Sequence, residues 1–329
     1  MKKHITLIAL LVAGSALVNA RTDYNQSVTI TENVSDSYGF FIDYPTSPGN
    51  VSTTRGNVVV NFAEGVSLKA PYSFTIYGTG SSANFLGNNT IEAGTISVMG
   101  GAGETGASLT AVNSTINASS ISLREGGTGI TLTNCTTTIA GKMVINTDST
   151  LIVSGGSFVA EEFSQTGAAS KETVADVKIL NGASFKLTET ESYAHNQAFN
   201  IYVDSTSTFD TAQKSAYYGK LTFEAGAAVK LSENSTITEV ALVVDDVSQV
   251  EDIGACFENI KLGDQALNLV LSTEQFTSIL DKKTGTEYAV TKEADGSFKL
   301  GSPIPEPSAF GLLAGLAALA FVGARRRRG

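Results

Sequence analysis

Small polar turns recur along the middle of this chain at a spacing in the low twenties, and that spacing limits the fold more than any other feature. Glu64-Gly65, Asn88-Asn89, Asn113-Ser114, Asn134-Cys135, Gly155-Gly156, Asn181-Gly182 and Asp204-Ser205 follow one another at steps of 24, 25, 21, 21, 26 and 23 residues. Short alternating runs lie after the turns, among them Val66-Ser67-Leu68, Thr115-Ile116, Ser157-Phe158-Val159 and Ser184-Phe185-Lys186-Leu187. Others precede the next turn, such as Val58-Val59-Val60-Asn61-Phe62 and Gly129-Ile130-Thr131-Leu132-Thr133. Alternation of Val, Ile, Leu and Phe with small polar residues puts one side of an extended chain into a core. Helical spacing is almost absent before residue 240.

A repeat of this length made of short strands marks a stacked solenoid, in which each coil buries its inner side only against its neighbours. The expected fold is therefore all-β, a right-handed parallel β-helix over residues 55–236. A β-sandwich or jelly roll is the competitor, since it also gives short strands, about every 8–12 residues. Residues 21–54 and 237–300 are expected to cap the ends, because an open stack exposes a strand edge. In the second of these, Glu274 to Lys282 is expected to be a short helix. Tyr288-Ala289-Val290 and Ser297-Phe298-Lys299-Leu300 bracket Asp295-Gly296, a hairpin signal.

The two ends read differently from the body. Lys2 and Lys3 precede an apolar stretch from Ile5 to Val18, and Val18-Asn19-Ala20 supplies a small-residue cleavage site. Residues 1–20 are thus expected to be a signal peptide, cut between Ala20 and Arg21. At the other end, within residues 301–329, Pro305-Glu306-Pro307 is followed by 17 uncharged residues from Ser308 to Ala324. Arg325, Arg326, Arg327 and Arg328 come next, with only Gly329 beyond. Seventeen residues are at the short end of a membrane-spanning helix, which needs about 20. A following arginine cluster stays on the cytoplasmic side.

This order of motif, span and arginines resembles the PEP-CTERM sorting signal, which is read by membrane proteases of the exosortase family. The resemblance covers Pro305 to Arg328. It implies a single C-terminal transmembrane helix at residues 308–324 that holds the protein in the inner membrane until the chain is cut near Pro305, Glu306 and Pro307. The released body then goes to the surface or extracellular matrix of a Gram-negative bacterium that makes exopolysaccharide. Implied partners are an exosortase-like protease, the membrane before processing, and the exopolysaccharide itself. A plain, permanent C-terminal anchor is the alternative. The body is also similar in its strand repeats to bacterial surface proteins and autotransporter passenger domains.

Loss of Lys2 and Lys3 takes the formal charge from −10 to −12, and loss of the four arginines takes it to about −16. Such an acidic body argues against nucleic acid, whose phosphates need a concentrated basic face. Two Cys and two His leave little for metal or triad chemistry, and neither a metal nor a cofactor is expected. Gly101 to Gly106 fits the spacing of a dinucleotide loop, but Ala107 to Val112 reads as strand where that loop requires a helix. A β-helix can host a polysaccharide lyase or hydrolase, which needs converging carboxylates. The candidates are Glu161-Glu162, Asp245-Asp246 and Asp204 with Asp210. Neighbouring residues of a strand point to opposite sides, which separates the first pair. His195 has no nucleophile turn to serve. Cys135 and Cys256 either pair or pack as thiols. Asn113-Ser114-Thr115 and Asn234-Ser235-Thr236 are read as turns. The functional expectation is a structural or adhesive surface protein and not an enzyme, with a carbohydrate-active enzyme as the alternative.

Overall fold

The computed structural model describes residues 22–45, 56–100, 106–124, 127–146, 148–164, 175–188, 199–211, 217–272 and 274–304. Through these the chain winds as a parallel β-solenoid with three faces. The first face stacks Val28–Ile30, Val59–Phe62, Ser82–Phe85, Ser108–Val112 and the leading half of Gly129–Ile139. It continues through Thr150–Ala160, Ala175–Leu180, Phe199–Val203, Tyr217–Glu224, Thr236–Val244 and Phe276–Asp281. The second face runs from Val34–Ser35 through the leading halves of Ser67–Tyr77, Thr90–Met99 and Thr115–Arg124. It then takes the trailing halves of Gly129–Ile139 and Thr150–Ala160, and ends with Ser184–Leu187, Thr208–Thr211, Ala228–Leu231 and Ile260–Leu262. The third face joins Thr22–Tyr24, Phe40–Ile42, the trailing halves of the three long strands from Ser67, Thr90 and Thr115, Lys142–Ile145 and Glu162–Ser164.

Register turns the alternation of the sequence into ladders. On the first face Val60, Ala83, Leu109, Ile130, Leu151, Val177, Ile201 and Leu221 lie one above another, all buried. On the second, Phe158, Phe185 and Phe209 stack with ring centroids 4.6 and 5.7 Å apart. Each rung thus fills its interior from its own alternate residues and those of the rungs on either side. Parallel pairing this extensive excludes the sandwich, whose sheets are antiparallel.

The recurrent turns form the corner between the first and second faces. Asn88, Asn113, Asn134 and Asn181 all hold a left-handed backbone, with φ of 51°, 46°, 51° and 56°. Asparagine tolerates that region better than other side-bearing residues, and glycine takes it freely at Gly65, Gly155 and Gly182. Small buried residues lie just past the bend: Asn89, Ser114 and Cys135 one position after it, and Ala183 and Ser207 two or three positions after Asn181 and Asp204. Asn89 closes the corner across rungs, its amide donating to the carbonyls of Ala63 at 2.6 Å and Val66 at 3.1 Å.

Antiparallel pairing appears only toward the C-terminal end of the described residues. Phe276–Asp281 pairs on one side with the parallel stack and on the other with Thr286–Lys292, which pairs in turn with Phe298–Pro303. The turn of this last hairpin lies at Asp295-Gly296, where Asp295 accepts from the Ser297 amide at 2.9 Å and Gly296 has φ 88°. The helix expected over Glu274 to Lys282 is overturned: Phe276–Asp281 is a strand, because ladders on both of its sides override a local helical preference. The one α-helix among the described residues is the single turn Leu267–Val270. No helix among them is long and apolar enough to cross a membrane. The expected signal peptide and C-terminal sorting segment lie outside the described residues, with their sites Ala20, Arg21, Pro305, Glu306, Pro307 and Arg325 to Arg328.

Candidate binding faces

The outer sides of the rungs carry the chemistry that the core does not use. Along the first face the outward positions run Asn61, Asn84, Thr110 and Thr131 in register. Along the second they run Ser67, Thr90, Thr115, Thr136, Ser157, Ser184 and Thr208. Asn84 donates to Asn61 at 3.0 Å. These ladders present hydroxyl and amide groups at the rung repeat of ~4.8 Å, a surface for many parallel hydrogen bonds.

Charged groups pair across rungs as well. Lys69 meets Glu92 at 3.4 Å, Lys186 meets Asp210 at 4.0 Å and Lys220 meets Glu239 at 3.0 Å. Two open concavities lie on these faces. One, of about 200 Å³ on the first face, is lined by Asp176, Lys178, Asn200, Tyr202, Lys220 and Thr222. The other, of about 420 Å³ on the second, is lined by Lys69, Pro71, Glu92, Gly94, Asn117 and Thr138, among others.

A connected polar network sits at the first-face corner near the C-terminal coils. Glu224 is nearly buried and accepts from the Tyr202 hydroxyl, from the Ser205 amide at 3.2 Å and from Lys282 at 2.7 Å. Burial pushes its carboxyl upward, but the bonds from Lys282, Tyr202 and Ser205 together outweigh that and hold it below the usual carboxylate range. Burial, followed by the hydrogen bond to Glu224, drives the Tyr202 phenol well above its ordinary value. Lys282 is raised, chiefly by its bond to Glu224. Alongside, Lys283 reaches Asp246 at 2.6 Å and is the main cause that lowers that carboxyl to about 2. Every acid in this network already has a cationic or hydrogen-bonding partner, which describes a fastening of the last coils.

The carboxylate pairs considered from the sequence are not brought together. Glu161 is exposed while its neighbour Glu162 is buried. Asp204 lies at the first-face corner, where the amides of Asn181 and Thr206 donate to it, whereas Asp210 points out from the second face. Asp246 caps the 3-10 turn Val247–Gln249 and is engaged by Lys283, and Asp245 is held at 3.5 Å from Lys282. His195 and Gly101 to Glu104 lie outside the described residues, and the segment after that glycine run is the strand Ser108–Val112. Cys135 and Cys256 are both free thiols. Cys135 fills the small-residue corner and donates to the Ala111 and Thr133 carbonyls, each at 3.4 Å, and burial pushes its thiol up. Among the described residues no group of three or more His, Cys, Asp and Glu is placed to hold a metal ion.

The cross-rung lysine–carboxylate pairs were not picked out from the sequence. Their signal was present: the partners are separated by one repeat, at 69 and 92, 186 and 210, and 220 and 239. No family model, no curated protein and no solved structure matches this chain.

Proposed function

We propose that this chain is an exported structural or adhesive protein of a bacterial cell surface or extracellular matrix, delivered by an exosortase-like protease. One observation carries the reading: Pro305-Glu306-Pro307, the uncharged run to Ala324 and the four arginines stand in the order of a PEP-CTERM signal. The apolar run would hold the chain in the inner membrane, and cleavage near the motif would free the body. The solenoid supports such a role because its outer sides offer long ladders of Ser, Thr and Asn, a form suited to many weak contacts along an extended partner.

The experiment is the intact mass, with terminal peptides, of the protein from the membrane and extracellular fractions of its native cells. A body that begins at Arg21, lacks Arg325 to Arg328 and is found outside the cells is the expected result. A complete C-terminus found only in the inner membrane would refute sorting and leave a permanently anchored protein.

A further inference from the structure

Two tyrosines stand out of the solenoid at one corner, between the second and third faces. Ser35 lies opposite Lys69 and Phe40 opposite Phe74, so residues 36–39 overlie residues 70–73 with no slip between them. Tyr38 and Tyr72 therefore occupy the same place on adjoining rungs. They are 55% and 74% exposed, and neither makes a ring contact or a side-chain hydrogen bond among the described residues. Scattered exposed apolar side chains are ordinary, but superposed aromatic positions are not scattered. The backbone holds both in place. Buried Asp36 accepts from the amides of Tyr38 at 2.9 Å and Gly39 at 3.1 Å. On the next rung Pro71 and Tyr72 together face the single Gly94, where a Cβ would strike both of their carbonyls. Such a bulge re-aims the side chain it carries.

A groove continues from this corner along the solenoid axis. It is the open concavity of about 420 Å³ on the second face, and Pro71, next to Tyr72, is part of its lining. Lys69, Glu92, Asn117 and Thr138 follow one another in register along it on four successive rungs. With Tyr38 one rung earlier, the surface covers five rungs, or ~19 Å. Asn117, Ser119 and Thr138 are exposed and make no side-chain hydrogen bond among the described residues, which leaves an amide and two hydroxyls open to a ligand. The charged residues that line the groove are Lys69 and Glu92, which lie 3.4 Å apart and cancel. Past its far end stand exposed Lys142 and Glu161, again of opposite sign.

A ligand that fits must be extended along the axis, offer apolar faces to the tyrosines and hydroxyls to the groove, and carry no net charge. A linear neutral polysaccharide of the ribbon type does all of this. Its sugar rings have faces of C–H groups and edges of hydroxyls, and they recur at close to the rung spacing. Tyrosine suits such a partner, since its ring joins an apolar face to a polar tip that stays wet. A polyanion, whether nucleic acid or polyuronate, gains little from a groove whose lysine is already neutralised. We propose that Tyr38, Tyr72 and the groove bearing Asn117, Ser119 and Thr138 bind a linear neutral polysaccharide. The proposal rests on the surface role argued above and names the class of polymer met there.

The test is titration calorimetry of the full-length chain in detergent, with hydroxyethyl cellulose and glucomannan as neutral ribbon polymers and alginate as a charged one. At least one neutral polymer is expected to bind, more tightly than alginate and with little change as salt rises. Tyr38→Ala with Tyr72→Ala should weaken that binding by at least about tenfold, whereas Tyr38→Phe with Tyr72→Phe, which keeps both ring faces, should stay within about threefold. Leu86→Ala, at the distant corner between the first and second faces, should change it by less than about twofold. Both tyrosines are exposed, so the alanine variant should keep its thermal midpoint, and lost binding would not reflect unfolding. Absence of binding to either neutral polymer, unchanged binding by the alanine variant, or alginate bound as tightly as the neutral polymers would each overturn the proposal. So would an alanine variant that sediments as a smaller species while binding polymer as before, since the tyrosines would then serve a second copy of this chain. None of these outcomes alters the terminal masses that test sorting.

Discussion

Replacing Phe185 with alanine tests whether the coils are held by the ladder of rings between them. Phe185 is fully buried, with Phe158 stacked at 4.6 Å and 12°, Phe163 at 5.2 Å and Phe209 at 5.7 Å. Deleting its ring leaves a cavity that rigid parallel rungs close only in part, so the expected loss is about 3–5 kcal/mol. With an m-value of about 3 kcal/mol/M, the urea midpoint falls by roughly 1–1.5 M. Each coil touches only its neighbours, so the cavity also weakens the coupling between the coils before and after it. Unfolding is followed by tyrosine fluorescence, since the chain has ten Tyr and no Trp, and by far-UV circular dichroism. Separation of the two curves in the variant would mark the halves coming apart. Phe185→Leu should cost less than half as much, because it keeps most of the volume. A loss below about 1 kcal/mol for the alanine variant, with m unchanged, would refute the reasoning.

Gly94→Ala should destabilise by about 1–3 kcal/mol in the same titration, since a Cβ there would lie 2.3 Å from the Pro71 carbonyl oxygen and 2.5 Å from that of Tyr72. The Glu224–Lys282 pair predicts two limbs of pH dependence. The depressed Glu224 carboxyl contributes stability above its unfolded value of about 4.3, lost as pH falls through the folded value. The raised Lys282 contributes below about 10.4 and is lost as pH rises through its folded value. Glu224→Gln should therefore flatten both limbs in urea midpoints measured across pH, and unchanged limbs would contradict the assignment. Native alkylation with iodoacetamide should spare Cys135, which is 1% exposed, and label Cys256 first, while denaturant should open both; early labelling of Cys135 would show that the corner is not closed.

The corner between the first and second faces was legible because its signal is local. A left-handed backbone admits Asn and Gly and few other residues, so Asn88, Asn113, Asn134 and Asn181 marked the same bend wherever it recurred. The inward ladders were legible for a similar reason, since alternation alone states which side of a strand is buried. The third face was harder to see, because one continuous strand such as Thr90–Met99 serves two faces and bends within itself at Gly94. Glu274 to Lys282 misled for the opposite reason, as its composition suits a helix while its neighbours on both sides require a strand.

The sequence by itself therefore determined the period, the corners and the buried side of each rung. The tertiary structure decided which residues meet across rungs: Glu224 with Lys282, Lys186 with Asp210, and Lys220 with Glu239. Such partners are separated by a full coil or more along the chain, and parallel stacking brings them to rung distance only once the register is fixed.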